Sequence, residues 1–156
     1  MAQCRETPAS LSPDALDLLQ RVLGASLPPA YRTHLATRNG WMPEKTVFAF
    51  AGKTGTRRSN LHVLYAVNAA EDWADLWAVN RTFAEDTGPW HLCIGADDGG
   101  NQLVLALKGP EHGKVFFWAV DLPFAEGLRV VAPDFGAFLS GLTGPDPLPG
   151  RADAAR

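Results

Sequence analysis

The sequence predicts an α+β domain in which helices flank a mostly antiparallel sheet, in the order α-α-β-β-α-β-β-β-α. Two short helical segments open the chain. Short turns rich in Gly and Asn then separate segments of β-branched and aromatic residues, and one longer amphipathic segment lies among them. Turns this short join antiparallel neighbours, because parallel strands need a crossover of roughly a dozen residues or more.

Both opening helices have recognisable boundaries. The first is predicted to begin at Ser12–Pro13, since Ser is a favoured N-cap and Pro suits the first helical position. It is predicted to end at Gly24, because Gly adopts the left-handed conformation that closes many helices. The second is predicted to follow Leu27–Pro29 and to end at Asn39–Gly40.

Two strands are predicted next, at Thr46–Phe50 and Leu61–Val67, which are rich in β-branched and aromatic residues. Between them, Ala51–Asn60 is polar, contains Gly and carries three basic residues, so it is predicted to be a loop.

The third helix is predicted at Glu71–Asp86, where apolar side chains recur at helical spacing. Asn80 falls within this apolar stripe, so we expect it to be hydrogen-bonded or at the edge of the stripe. Periodicity also predicts that Trp73, Trp77 and Trp118 are largely buried. The members of the stripe are Trp73, Leu76, Trp77, Phe83 and Ala84.

The second half of the chain is predicted to complete the sheet. Strands are expected at His91–Gly95, Gln102–Leu107 and Lys114–Val120, and Leu128–Val131 is expected to add a short edge strand. A closing helix is expected at Pro133–Leu142, where apolar residues return to helical spacing.

A chain of 156 residues favours one domain. We expect that domain to span residues 11–142. Residues 1–10 show no hydrophobic periodicity and are expected to form a loose leader, while residues 143–156 are rich in Pro, Gly and Ala and are expected to form a flexible tail.

The composition favours a cytoplasmic protein without membrane or nucleic-acid partners. No apolar run approaches the ~20 residues of a membrane-spanning helix, and the N-terminus lacks the pattern of a secretory signal. Two cysteines, Cys4 and Cys93, do not form a disulfide framework. A net charge of -3 argues against a general nucleic-acid binder, which is usually basic.

The sequence predicts no catalytic residue, no metal ligand and no cofactor, and therefore a protein that is not an enzyme. Gly52–Thr54 resembles the end of a phosphate-binding loop, but Val47 stands where that motif needs Gly. Asp97–Asn101 resembles part of a calcium loop, but Lys108 stands at the twelfth position, where Glu is required. The four histidines show no helical metal-binding spacing.

Charge is distributed unevenly along the chain. Residues 1–60 carry eight Lys or Arg against four Asp or Glu, whereas residues 71–98 carry seven acids against one Arg. This predicts an acidic surface that meets a basic partner, with a solvated helix face and a hairpin turn as the alternative. Glu85 and Asp86 strengthen the first interpretation, because acids near a helix C-terminus oppose the helix dipole. The candidate partner-binding residues are Glu71, Asp75, Glu85 and Asp86 on the outward side of the third helix, and Asp97 and Asp98 in the turn.

Four segments, within roughly residues 15–142, follow the motifs of one family in that family's order. They are Leu27–Gly40 (LPPAYR leading through Leu35 to NG), Ile94–Asn101 (IGADDGGN), Gly113–Trp118 (GKVFFW) and Asp134–Leu139 (DFGAFL). Together they resemble the SUKH superfamily, particularly its branch typified by the yeast cell-wall assembly and glucan-synthesis regulator, the Smi/Knr type. Three positions depart from the pattern: Asn101 stands where Asp is common, Asp134 where Ser is common, and Gly136 where an acidic residue is usual.

The resemblance implies an α+β domain with a binding role and no catalysis. Bacterial members are similar to immunity proteins that bind and neutralise toxins of polymorphic toxin systems, often nucleases. Fungal relatives resemble signalling and cell-wall scaffolds. We therefore expect an immunity protein that binds a basic toxin domain. A regulatory or scaffold module of the cell-wall assembly type, and a small-ligand binder or enzyme of unknown chemistry, are the alternatives.

Overall fold

The computed structural model describes residues 9–144. The expected leader at 1–10 and the expected tail at 143–156 lie outside the described residues, except for residues 9 and 10 of the leader and 143 and 144 of the tail. The helices are α1 (Pro13–Leu23), α2 (Pro29–Arg38), α3 (Leu76–Thr87), α4 (Phe124–Gly127) and α5 (Phe135–Ser140), with a 3-10 turn at Asp72–Ala74. The strands are β1 (Val47–Gly52), β2 (Gly55–Leu64), β3 (His91–Asp97), β4 (Gln102–Ala106), β5 (Val115–Trp118) and β6 (Leu128–Ala132).

The six strands form one antiparallel sheet whose spatial order is the chain order, β1 to β6. This confirms the α+β class, the order of the elements and the edge strand β6. The one-turn helix α4, between β5 and β6, is additional. Thr143, one residue beyond the end of the domain expected from the sequence, pairs with Val47 through two backbone hydrogen bonds of 2.9 and 3.0 Å. None of the described helices combines the length and the apolar composition needed to cross a bilayer.

The sheet curves until its two edge strands, β1 and β6, lie beside one another. Aromatic side chains fill the space that the curvature creates. The rings of Phe50 on β1 and Phe117 on β5 stack at 4.2 Å, and Phe138 of α5 lies 6.0 Å from Phe48 of β1. Helix α2 packs on α5 through an edge-on contact of Tyr31 with Phe135, whose ring centroids are 5.2 Å apart.

The prediction of a loop at Ala51–Asn60 is wrong, because most of that segment belongs to a β-hairpin. Gly52 pairs with Gly55, so Lys53 and Thr54 alone form the turn. Polar and basic residues are compatible with a strand here because the hairpin lies at the edge of the sheet, where much of its surface meets water.

The third helix begins later than predicted, at Leu76, and of the three tryptophans predicted to be largely buried one is buried, one is half-buried and one is exposed. Trp118 is 2% exposed, which confirms its prediction. Trp77 is half-buried against the core. Trp73 is 45% exposed, so its prediction is wrong. It lies in the 3-10 turn before α3, where the helical period does not apply. The helix buries Leu76 and Val79, and it leaves Ala84 exposed.

Asn80 is hydrogen-bonded, as predicted, and it fixes α3 to the sheet. Its side-chain amide donates to the carbonyl of Cys93 and accepts from the backbone N–H of Cys93, both at 2.8 Å. The Asn80 side chain thus makes two hydrogen bonds to the backbone of Cys93 of the kind that a neighbouring strand would make. Because its polar atoms are paired, Asn80 is tolerated on the packed face of the helix.

The Asp97 carboxylate joins three parts of the sheet. Its Oδ1 accepts hydrogen bonds from the backbone N–H groups of Gly99 (3.0 Å) and Asn101 (2.8 Å). Its Oδ2 accepts from the Ser59 hydroxyl (2.8 Å) and the Asn101 side-chain amide (3.2 Å). The Asn101 Oδ1 in turn accepts from the N–H of Val120 at 3.2 Å. These contacts, here called the Asp97 network, connect β2, the β3–β4 turn and the segment after β5.

Two glycines of the β3–β4 hairpin are required by its geometry. A Cβ on Gly95 would lie 2.6 Å from the carbonyl oxygen of Val63, so only glycine lets β2 and β3 approach this closely. Gly100 has a φ of +82°, in the left-handed region that side chains disfavour.

Asp97→Ala should lower the free energy of unfolding by about 1–3 kcal/mol, because it removes a buried acceptor and leaves the partly buried donors of Ser59, Gly99 and Asn101 without their partner. Asp98→Ala is the matched control. Asp98 is exposed and accepts one side-chain hydrogen bond, from Asn60, so its replacement should cost under about 1 kcal/mol. Urea unfolding of both variants measures the difference, and equal losses would contradict the role assigned to Asp97.

His34 is a buried histidine that folding keeps neutral. It lies between Tyr31 and Phe135, is 5% exposed, and its Nδ1 has no hydrogen-bond partner among the described residues. Burial, reinforced by the charge of Arg38, lowers the pKa of His34 from its ordinary value of 6.5 to about 4. The unfolded chain therefore binds one more proton than the folded chain between these two pH values.

Stability should consequently fall as the pH drops from 6.5 towards 4, by about 3 kcal/mol at most. His34→Phe, which keeps the ring contacts but cannot titrate, should flatten this part of the pH–stability curve. His112→Gln, at an exposed histidine, should leave the curve unchanged. Chemical unfolding across this pH range measures the effect, and an unaltered slope in His34→Phe would show that another group is responsible.

Candidate partner-binding groove

A concave groove of about 780 Å³ lies between α3 and the sheet. The 3-10 turn contributes Asp72 and Trp73, α3 contributes Arg81, β2 contributes His62, and the β3–β4 turn contributes Asp98. We call this surface the acidic groove. Chain-distant segments meet here because the Asp97 network holds the β3–β4 turn against β2, while Asn80 fixes α3 to β3.

The rim of the acidic groove places an exposed aromatic ring beside charged groups. The rings of Trp73 and His62 lie 6.0 Å apart. His62 Nδ1 lies 3.6 Å from Asp98 Oδ1, and the amide of Asn60 donates to Asp98 Oδ2 at 2.8 Å. His62 and Asp98 are both at least half exposed, so this pair contributes little to stability and stays accessible to a partner.

The inner part of the groove is polar, and its Tyr65 and Gln102 side chains are hydrogen-bonded within the protein. The Tyr65 hydroxyl donates to Gln102 Oε1 at 2.7 Å, and the Gln102 amide donates to the carbonyl of Gly100 at 3.1 Å. Burial raises the pKa of Tyr65, so the phenol remains protonated at neutral pH. These hydrogen-bonded side chains therefore form the floor of the groove, below the charged residues of its rim.

The structure brings Asp97 and Asp98 together in the groove and gives them different environments. Asp97 is 5% exposed and both its oxygens are used within the Asp97 network. Asp98 is exposed on the rim. Asp72, which was not among the candidate residues, lines the groove with Asp98, and the exposed Glu71 precedes it in the chain.

Asp75 does not lie on the outward side of the third helix; it is the N-cap of α3. Its carboxylate accepts hydrogen bonds from the backbone N–H groups of Ala78 (3.0 Å) and Ala69 (3.1 Å). The backbone before it is extended rather than helical, which places Glu71 outside the helix as well. Capping explains the acid at position 75 without any partner.

Glu85 and Asp86 are exposed on the last turns of α3, as the helical period predicts. They do not line the groove, whose α3 residues end at Phe83. The two acids therefore extend the negative surface along the helix beyond the groove.

The groove residues that the sequence analysis missed are His62, Asp72, Trp73 and Arg81. For Asp72 and Trp73 the available signal is a tryptophan among acids just before a helix N-cap. The prediction that residues 71–75 belonged to the helix concealed it.

The buried thiol of Cys93 lies under α3 and is 0% exposed. Burial raises the pKa of Cys93 to about 12, with a smaller contribution from Asp86. The thiol is therefore protonated at neutral pH and packs as a small apolar side chain.

A model of the SMI1 / KNR4 family (SUKH-1) matches residues 10–141. The chain belongs to the SUKH-1 family. A comparison with curated proteins found no match.

Of the positions that depart from the SUKH pattern, Asp134 keeps the physical role of the usual residue, whereas Asn101 adds a donor that an aspartate lacks. Asp134 caps α5 by accepting from the N–H of Ala137 at 2.7 Å, which a serine at this position also does by its hydroxyl. Asn101 uses its amide to donate to Asp97 and its carbonyl to accept from Val120.

Asp75→Ala should lower the free energy of unfolding by about 1–2 kcal/mol, because it removes the cap of α3. Glu85→Ala is the control on the same helix and should change stability by less than about 0.5 kcal/mol, since that side chain is exposed. Thermal unfolding of the two variants measures the contrast. A neutral Asp75→Ala would contradict the capping role and return this residue to the partner-binding set.

Proposed function

We propose that this SUKH-1 chain is a non-enzymatic immunity protein that binds a toxin through its acidic groove and thereby neutralises it. The observation that carries the proposal is the 45% exposed Trp73 on the rim of a groove that also presents Asp72 and Asp98. Tryptophan, with tyrosine and arginine, is enriched among the residues that dominate binding energy at protein interfaces.

The charge of the groove favours a basic partner. Three aspartates line it against one arginine, Arg81, among the described residues. Exposed acids attract a cationic surface over roughly 8–10 Å at physiological salt and so raise its association rate. Glu71, Glu85 and Asp86 extend this field on either side of the groove.

A nuclease domain is the toxin class that fits this chemistry best. An enzyme that acts on nucleic acid presents Lys and Arg to the phosphate backbone. An acidic groove that binds such a surface competes with the substrate for the same cations. Neutralisation then requires occupancy of the toxin surface and no chemical step.

A regulatory or scaffold module would present the same kind of surface to a different protein, and SUKH-1 membership supports both interpretations. The two differ in the consequence of binding: an immunity protein abolishes a toxic activity, whereas a scaffold leaves its partner active.

The test uses the product of the gene adjacent to this one as the candidate toxin. The chain should protect cells that express the toxin, and the two purified proteins should form a complex. Trp73→Ala should speed dissociation by roughly 30-fold, the effect of an interface anchor worth about 2 kcal/mol. Asp72→Lys with Asp98→Lys should slow association at low salt by about tenfold and weaken its salt dependence.

Glu44→Lys is the matched control, because it reverses an exposed acid outside the groove. It should leave dissociation unchanged and slow association only slightly. Asp75 stays intact throughout, since its loss would disturb α3. Unchanged association and dissociation rates in both groove variants would refute the acidic groove as the interface. If the chain binds the candidate toxin but does not protect cells from it, the immunity role is refuted.

A further inference from the structure

A second groove, of about 660 Å³, carries the opposite charge. Four cationic side chains line it: Lys53, Arg57 and Arg58 of the β1–β2 hairpin, and Arg129 of β6. Arg129 lies far from the other three in the sequence, and it meets them because the sheet curves until β1 approaches β6. We call this surface the basic groove.

The two grooves lie on opposite faces of the sheet. Phe117 lines the basic groove, where its ring stacks on that of Phe50. The next residue, Trp118, contacts Phe83 of α3, which lines the acidic groove. Successive side chains of a strand point to opposite faces, so a ligand of the basic groove would not occupy the acidic groove.

The cations of the basic groove are not neutralised within the protein. In residues 9–144, no ion pair shorter than 4.0 Å involves Lys53, Arg57, Arg58 or Arg129. Two acids also line the groove. Both oxygens of Asp97 are occupied by the Asp97 network, which leaves Asp121 as the exposed carboxylate.

One of these guanidinium groups is held in place before any ligand binds. Arg129 Nη1 donates to the carbonyls of Glu126 (2.8 Å) and Leu128 (2.7 Å). The remaining N–H donors of Arg129 stay available, because a guanidinium carries five. A fixed, planar donor group loses little conformational entropy on binding an anion.

Aromatic side chains adjoin the cations. The rings of Phe50 and Phe117 are nearly parallel, 13° apart, with their centroids separated by 4.2 Å. Both residues line the groove, and Phe50 is half-buried, so part of its ring is accessible. The groove therefore offers the accessible part of the Phe50 ring beside a cluster of cationic groups.

We propose that the basic groove binds a nucleoside diphosphate or triphosphate. Arginine forks match phosphate oxygens in a bidentate manner. Arg57 is paired with Phe50 and Arg129 with Phe117 on one face of the sheet, so these two arginines, with Lys53 in the turn, suit a ligand with more than one phosphate. The aromatic pair suits a planar base, which stacks on such surfaces. The volume falls in the usual range for small-ligand sites, and the net charge of -3 disfavours a long nucleic-acid strand.

Calorimetric titration of the full chain with ADP tests the proposal, and it needs no toxin partner. ADP should bind, and Lys53→Gln with Arg57→Gln should weaken its binding at least tenfold. Both side chains are exposed, so the double variant should fold normally. Arg21→Gln, at an exposed arginine of α1 that lines neither groove, should bind ADP like the wild type.

Inorganic pyrophosphate and a single-stranded oligonucleotide separate the sources of phosphate. Pyrophosphate should bind more weakly than ADP, and Phe50→Leu should reduce this difference by weakening ADP binding alone. The proposal is overturned by absence of binding at millimolar ADP, by equal affinities of ADP and pyrophosphate, by wild-type affinity in the double variant, or by an oligonucleotide that binds more tightly than ADP. None of these outcomes bears on the acidic groove.

Discussion

The structure depends on one buried carboxylate. Asp97 accepts four hydrogen bonds, from β2, from the backbone of the β3–β4 turn and from the side chain of Asn101. A buried charge is stable only when its oxygens are paired, so the positions of these donors are strongly constrained. The contacts hold the turn against β2 and, through Asn101, hold the segment after β5 near both. Much of the SUKH motif in this hairpin is explained by that geometry: Gly95 permits the approach of β2, Gly100 permits the turn, and Asp97 and Asn101 close it.

The Asp97 network also lies between two surfaces of opposite charge. The acidic groove contains Asp72 and Asp98, while the basic groove contains Arg57 and Arg129. The two sets of side chains lie on opposite faces of the sheet, so the acids of one groove do not contact the cations of the other. The charge asymmetry along the sequence is therefore preserved in space, and each face offers a distinct field to a distinct partner. Under the two proposals, a small domain with a modest net charge attracts a basic protein on one face and a compact anion on the other.

Much of the fold could be predicted because its elements have strong local signals. Ser12 and Gly24 mark the ends of α1, and the turns between β3, β4 and β5 are rich in Gly. The prediction of the third helix failed at its start, where the capping preference of Asp75 competes with the apolar helical period. Asp75 caps a helix that the apolar period would begin five residues earlier, at Glu71, and Trp73 therefore lies on the groove rim and not in the core. The acidic character of the site was predictable from composition, but the contribution of His62 and the assembly of the basic groove depend on the curvature of the sheet, which no local pattern encodes.

Hydrogen exchange in Asp97→Asn, compared with the wild type, tests most directly whether one carboxylate organises both grooves. The variant keeps the size of the side chain but replaces one accepting oxygen with a donor. The account predicts faster exchange together at residues 57–60, at 98–102 and at Val120, relative to the amides of α1 and α2. These segments line both grooves and are joined through the Asp97 network. Faster exchange confined to the β3–β4 turn would contradict the account, because the turn would then be a local structure on which neither groove depends.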